Sequence, residues 1–241
     1  MSTMVKAIKV KLRQQLANYR KPASFLIKES YPLPPYSSVI GMLHNACGFT
    51  SYHPVKVGIQ GSHASDVADL AVLYNFGIKY DAGRHQAKVK NFDGGYDGIN
   101  RGVRPIHLLT DIELTLYVVP EQEHDLDIMY QGLLRPQQYL SLGRHEDLVR
   151  IDSVEVVELV VYDGRKHDRL DIKPMYVPIN QIKGEPRGTV YNLNKTFHID
   201  PKKNLRLWDE VVLAGLVQST PKLKNGAGWV DTTENSLVCL A

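Results

Sequence analysis

Residues 81–105 read DAGRHQAKVKNFDGGYDGINRGVRP, and whether this stretch is a loop or part of a sheet decides the fold. Gly94, Gly95, Gly98 and Gly102 make it a poor helix, and it is too long for a tight hairpin turn. The sequence reading is a long functional loop, inserted between a strand that ends near Tyr80 and another that starts near Ile112. It carries Arg84, Lys88, Lys90, Arg101 and Arg104 against Asp81, Asp93 and Asp97, with His85, Phe92 and Tyr96 interleaved. Basic and aromatic side chains together suit the phosphates and exposed bases of single-stranded nucleic acid.

Toward the N-terminus, Ile8, Val10 and Leu12 alternate with Lys9, Lys11 and Arg13. That period of two predicts an opening strand with one apolar and one cationic face. After a loop holding Arg20 and Lys21 comes YPLPPYSSVIGMLHNACG, residues 31–48. Three prolines stiffen its approach, Ser37 or Ser38 offers an N-cap oxygen, and Gly48 offers a left-handed stop. In the helix between them, Val39, Ile40, Met42, Leu43, Ala46 and Cys47 share one arc. Ser37, Ser38, Gly41, His44 and Asn45 share the other, a small polar face that something must approach closely.

Val55–Gln60, Asp69–Tyr80, Ile112–Val119 and Val154–Tyr162 read as further strands, and Glu121–Leu134 as a second helix. This order predicts an α+β, ferredoxin-like (RRM-type) domain over residues 1–165, with a thumb loop inserted at about 81–106. Residues 166–241, broken by Pro174, Pro178, Pro186 and Pro201, read as a small, mostly β C-terminal region.

At 241 residues, 43% hydrophobic and 23% charged, the chain is long enough for a substantial core and too ordinary in composition to be disordered or fibrous. No apolar run approaches a membrane span, no signal-peptide pattern opens the chain, and Cys47 and Cys239 are the only cysteines. A cytoplasmic protein with no membrane contact is expected. The net charge of +3 is unevenly spread: Lys6 through Lys28 supply seven cations before the first acid, Glu29. Asp111–Asp127 is an acidic run without Lys or Arg, read as a solvated face.

The phosphate-loop, dinucleotide and nucleophile-elbow motifs are absent, and His44 with Cys47 lacks a second pair at ligand spacing. No metal or cofactor is expected. Metal-free RNA cleavage needs only a base, an acid and a cation, which Tyr36 with His44, or His85 with Lys88 and Lys90, would supply.

The proline-rich turn and helix, through Pro35, Ser37, Ser38, Ile40, Gly41, Leu43 and His44, resemble a signature of the Cas-five family, the fifth-numbered subunit of the CRISPR Cascade complex and a member of the RAMP superfamily. YLSLGRHEDLVRI is similar to a later family segment, through Gly143, Arg144, Glu146 and Asp147. The helix motif and the length look most like the type I-B branch. The resemblance implies a ferredoxin-like domain with a thumb, which holds the 5′ handle of the CRISPR RNA and contacts the large and backbone subunits, so meeting target DNA through the complex. It places Lys9, Lys11, Arg13, Arg20, Lys21, Tyr36, Ser37, Ser38, Gly41, His44, Arg84, His85, Lys88, Lys90, Arg101, Arg104, Arg144 and His145 as candidate RNA contacts. It also implies a non-catalytic subunit. The alternatives are a metal-independent endoribonuclease acting on repeat RNA and an unrelated ferredoxin-like binding module.

Overall fold

The alternation in the first strand is realised on both of its faces. In the computed structural model, which describes residues 4–167, 170–186 and 188–241, β1 (Met4–Ala17) sends Ile8, Val10 and Leu12 into the main core. Lys9 on the opposite face is buried as well, at 1% exposure. β1 lies between β5 (Tyr96–Pro120) and β6 (Arg150–Val161), antiparallel to both, and β2 (Val55–Ser62) pairs with the far side of β5. Two helices, α1 (Tyr36–Cys47) and α2 (Glu123–Leu134), pack on the face of Ile8 and Val10. Each fully buried Leu, Val or Ile there contributes roughly 1.5–3 kcal/mol of transfer free energy.

The other strands extend the same sheet rather than forming a separate layer. They are β3 (Ser65–Lys79), β4 (Ala87–Lys90), β7 (Met175–Pro178), β8 (Val190–Asp200), β9 (Leu205–Val217), β10 (Trp229–Asp231) and β11 (Ser236–Val238). The order is β11-β10-β6-β1-β5-β2-β7-β9-β8, with β3 and β4 added to β5. The chain end crosses the second face: Val238 and Leu240 join Tyr117 and Val157 in a second core cluster, and Ala241 exchanges backbone hydrogen bonds with Val57 (3.0 Å each way).

The α+β ferredoxin-like expectation is therefore corrected. Among the described residues the chain is mostly strand, 51% against 11% helix, and the sheet is a curled antiparallel half-barrel carrying two α-helices. The largest single departure is the stretch read as a loop. Residues 87–90 and 96–105 are strand, and β5 runs for 25 residues without a break, so that with β3 and β4 it forms a long arm projecting from the core. The arm is exposed on both faces, which removes the apolar alternation that marks a half-buried strand and leaves room for glycine.

Local details of α1 also differ from expectation. Its N-cap is Pro35, and no side chain caps it, so neither Ser37 nor Ser38 plays that role. The C-terminal stop is as expected: Gly48 takes φ +68°, and the Phe49 N–H donates to the His44 carbonyl (2.9 Å). α1 and α2 approach so closely that a Cβ on Gly132 would lie 2.9 Å from Cys47 Sγ and 3.0 Å from the Ala46 carbonyl oxygen.

Candidate nucleic-acid interface

Asn18, just past the end of β1 and buried, ties three distant segments together. Its backbone N–H donates to Asp147 Oδ2 (3.0 Å), and its side-chain amide donates to the carbonyls of Lys28 (2.8 Å) and His107 (2.6 Å). Those partners belong to the 141–148 turn, the 20–30 loop and the base of the arm. Gln14 strengthens the first link by donating to the Leu142 and Asp147 carbonyls, both at 2.9 Å, while Tyr19 Oη donates to Gln14 Oε1 (2.6 Å).

The turn has a physical reason for each residue of its Gly143-Arg144…Asp147 pattern. Gly143 adopts φ +114°, and a Cβ there would stand 2.7 Å from Asp147 Oδ2 and 3.0 Å from the Asn18 carbonyl oxygen. Asp147, 1% exposed, accepts from the Arg144 backbone N–H (2.8 Å) and from its guanidinium through Nε (3.0 Å) and Nη2 (2.6 Å). Arg144 also meets Glu146 (2.9 Å).

The hub gathers cations on its outer side. Lys28, in the left-handed region at φ +52°, is close enough to Arg20, Arg144 and Arg104 to feel all three. Its ammonium pKa is lowered by partial burial first and then by those guanidiniums, with Glu146 opposing. Neither Arg20 nor Arg104 has an ion-pair partner within 4.0 Å among the described residues; Arg20 lies over the Phe25 ring at 6.0 Å. A cleft of about 310 Å³ opens beside them, lined by Ile27, Ala68, Pro105, His107 and the paired Lys21 and Glu29. Burial is the first cause of the lowered Lys28 pKa, and the guanidiniums beside it add a positive field that an arriving anion would relieve.

The arm continues this surface. Its register puts Lys88 opposite Gly98 and Lys90 opposite Tyr96, so Lys88, Lys90, Tyr96, Gly98, Asn100, Gly102 and Arg104 alternate onto one face. Lys88 Nζ sits 4.0 Å from the Tyr96 ring centroid and 5.0 Å from that of Tyr80. Leu70, Val72, Tyr74, Arg101 and Val103 occupy the other face.

The family sequence model described as CRISPR-associated protein (Cas_Cas5) matches residues 7–215. The chain belongs to the Cas5 family of CRISPR-associated proteins. No curated protein matches it in sequence. Its fold is similar to that of a chain in a solved structure titled "CRISPR RNA-guided surveillance complex", with TM-score 0.55 at 18% identity over 95% of this chain and 92% of that one. A chain in a structure titled "Cryo-EM structure of the Type III-B Cmr-beta bound to cognate target RNA and AMPPnP, state 1" aligns at TM-score 0.40 and 12% identity, over 95% and 98% of the two chains.

For this Cas5 family member the remaining candidates divide. Tyr36 and Lys9 need correction. Tyr36 is fully buried in the core, tilted against Tyr176 at 6.1 Å, and burial drives its hydroxyl pKa well up. Lys9 directs its ammonium to Asp231 (2.9 Å) and Glu234 (3.0 Å) beneath the chain's C-terminal end. Lys11 pairs with Glu234, and Arg13 with Glu113 and Asp152 (3.0 Å each). Lys21 meets Glu29 at 3.1 Å, Arg84 meets Asp81 at 3.5 Å, and the exposed His145 meets Glu146 at 2.8 Å. His85, Lys90 and Arg101 are exposed on the arm.

The polar arc of α1 belongs to a different neighbourhood from the hub. Ser37 and Ser38 are half-buried, and Gly41 faces open space. His44 has both ring nitrogens engaged: Nε2 accepts from the His53 N–H (2.9 Å), which leaves Nδ1 to donate to the Ile40 carbonyl (2.9 Å). Burial lowers its pKa. His53 in turn holds Asp125 Oδ2 at 3.0 Å, and Asp125, read from sequence as part of a solvated acidic run, is fully buried. The residues missed from sequence are Lys28 and Asn18. Lys28 stood in the basic run before Glu29, whereas a lone Asn gives no signal until three segments meet around it.

Proposed function

We propose that this chain is a non-catalytic subunit of a type I CRISPR effector complex that holds the 5′ handle of the CRISPR RNA, contacts the large and backbone subunits, and serves RNA-guided recognition of foreign DNA. The observation that carries the reading is the convergence of Arg20, Lys28, Arg104 and Arg144 around Asn18, with the Lys28 ammonium held in a field of like charge. Phosphates are the natural counter-ions for such a group, and the Lys88, Tyr96 and Tyr80 face beyond it offers rings for splayed bases. The Cas5 membership supports the CRISPR context. Placement in the type I-B branch rests on the helix motif and chain length alone. The non-catalytic reading is supported by His44, whose imidazole is spent on Ile40 and His53.

The test is a fluorescence-anisotropy titration of repeat-derived RNA over a salt series. Arg20→Ala and Arg104→Ala are each expected to weaken binding and to flatten the log K against log salt slope by about one unit per lost phosphate contact. Unchanged slopes in both would remove the hub from the RNA path. Incubation with labelled repeat RNA in EDTA is expected to leave it intact; a discrete product that vanishes in His44→Ala would make the protein a nuclease.

A further inference from the structure

Ile182 and Leu223 form an isolated antiparallel bridge and pack into a core cluster shared with Tyr162 and Cys239. Alternation sends their neighbours outward, so Lys183, Lys222 and Lys224 are exposed. The Lys183 N–H donates to the Lys222 carbonyl (2.7 Å) and the Lys224 N–H to the Gln181 carbonyl (2.8 Å), which sets Lys183 and Lys222 across the bridge from one another. Like charges in that relation are destabilising. The turn after β6 adds the exposed Arg165. That turn is fixed by the Tyr162 N–H donating to the Gly228 carbonyl (3.1 Å) and the Arg165 N–H donating to Asp163 Oδ1 (3.0 Å). The three segments enclose a cleft of about 1010 Å³. Asp163 is the one acid in its described lining, and Glu185 lines the adjoining cleft instead. Arg165, Lys183, Lys222 and Lys224 have no ion pair among the described residues.

The rest of the lining narrows the occupant. Tyr162 and Leu223 are partly buried against the core beneath, so they are not free to anchor a partner protein, whose binding energy concentrates on such groups. Tyr162, the one ring in the described lining, stacks with His167 (6.1 Å, 26°), which takes away the platform that the splayed bases of a single strand need. Small-molecule sites are smaller and mostly apolar. A duplex keeps its bases inside and presents closely spaced phosphates, for which exposed cations suffice. Gly184 (φ +85°) and Gly226 (φ +73°) have nothing within 4 Å of where a Cβ would stand, so the rims are bare where that backbone would approach. The cleft also lies far from the hub. Met4 pairs with Val160, two residues before Tyr162, whereas Asn18 follows the other end of the 14-residue β1, a path of roughly 45 Å along the strand.

We propose that the 162–165, 183–184 and 220–226 segments form a second nucleic-acid site, which takes the phosphate backbone of a duplex without reading its sequence. This goes beyond the handle-binding reading and does not depend on it.

The test uses the full chain in anisotropy titrations over a salt series, with a short DNA duplex, an RNA duplex of the same sequence, the separate strands, and polyglutamate. Both duplexes are expected to bind, and a permuted sequence to bind equally. The triple variant Lys183→Ala, Lys222→Ala, Lys224→Ala should weaken duplex binding at least about tenfold and flatten its log K against log salt slope by about 0.9 per lost phosphate contact. Its thermal melt and its single-strand titrations should stay as in the parent. Replacing the same three lysines with arginine should keep the slope, and Arg165→Ala alone should lower it by one contact. An unchanged duplex slope in the triple variant, or single-strand binding that falls as far as duplex binding, would overturn the proposal. Polyglutamate bound as tightly as the duplexes and lost in the same variant would assign the cleft to an acidic protein and equally overturn it. Unchanged RNA slopes in Arg20→Ala and Arg104→Ala, with the lysine effect on duplexes intact, would remove the handle reading and leave this site standing.

Discussion

Lys9, Lys11 and Arg13 on β1 each end on carboxylates, whereas Lys28 of the Asn18 hub stands among Arg20, Arg104 and Arg144. The residue types are the same and the settings are opposite. On β1 the charge is neutralised inside the protein and contributes to joining the C-terminal segment to the sheet. At the hub only Arg144 is tightly paired, and the excess field is turned outward. A basic run in a sequence therefore reports cations, while their function follows from where the acids fold.

The largest effect expected on this contrast comes from Asp231→Ala. It leaves the Lys9 ammonium, 1% exposed, without one of its two carboxylates, and loss of one partner from a buried ion pair costs about 3–5 kcal/mol. Urea unfolding should shift accordingly while RNA affinity per folded molecule holds. A parallel loss of RNA binding in native buffer would blur the two regions into one.

Acid titration gives a smaller effect on the same region. Burial alone would raise the Glu234 pKa, but hydrogen bonds from Lys11 and Lys9 and the nearby Lys173 take it down from 4.5 to about 2. A carboxylate depressed in the folded state stabilises above its unfolded pKa and loses that contribution as pH falls through the folded one. Stability should thus decline from about pH 4.5 toward about pH 2, and Glu234→Gln should flatten that decline in a pH series of thermal melts. An unchanged profile would leave the pair without a stabilising role.

The smallest effect belongs to the hub. Because the free-state Lys28 pKa is lowered by burial, Arg20 and Arg144, RNA phosphates favour its protonated form, and affinity should weaken as pH rises through that lowered value. Lys28→Arg, which stays charged, should remove the alkaline loss. A wild-type affinity flat through the alkaline range would place Lys28 outside the RNA path.

Much of the core was legible because half-buried strands and amphipathic helices write their period into the chain. Ile8, Val10 and Leu12 and the arc of Val39, Leu43 and Ala46 are buried as expected. One strand of the arm was legible, since Asp69–Tyr80 was read as a strand and β3 spans Ser65–Lys79; its β4 and β5 side was not, since Gly98 and Gly102 suggest a loop wherever burial is assumed, and a strand standing in solvent obeys no such period. The α1 cap failed because the helix begins at Tyr36 with Pro35 as its N-cap, so both serines lie inside the first turn rather than before it. At the hub the individual cations Arg20, Arg104 and Arg144 could be named from sequence. Their meeting depends on hydrogen bonds from one buried asparagine to residues far along the chain, and no local pattern encodes that.

The uninterrupted β5 strand has a consequence for anything that binds this protein at two points. Arg104 at the hub and Tyr96 toward the tip lie on one strand at roughly 3.3 Å per residue, which fixes their separation at roughly 26 Å. With no break in β5 between them, the arm is a ruler: a ligand that touches both residues must be long enough to reach, and one that is shorter must choose an end.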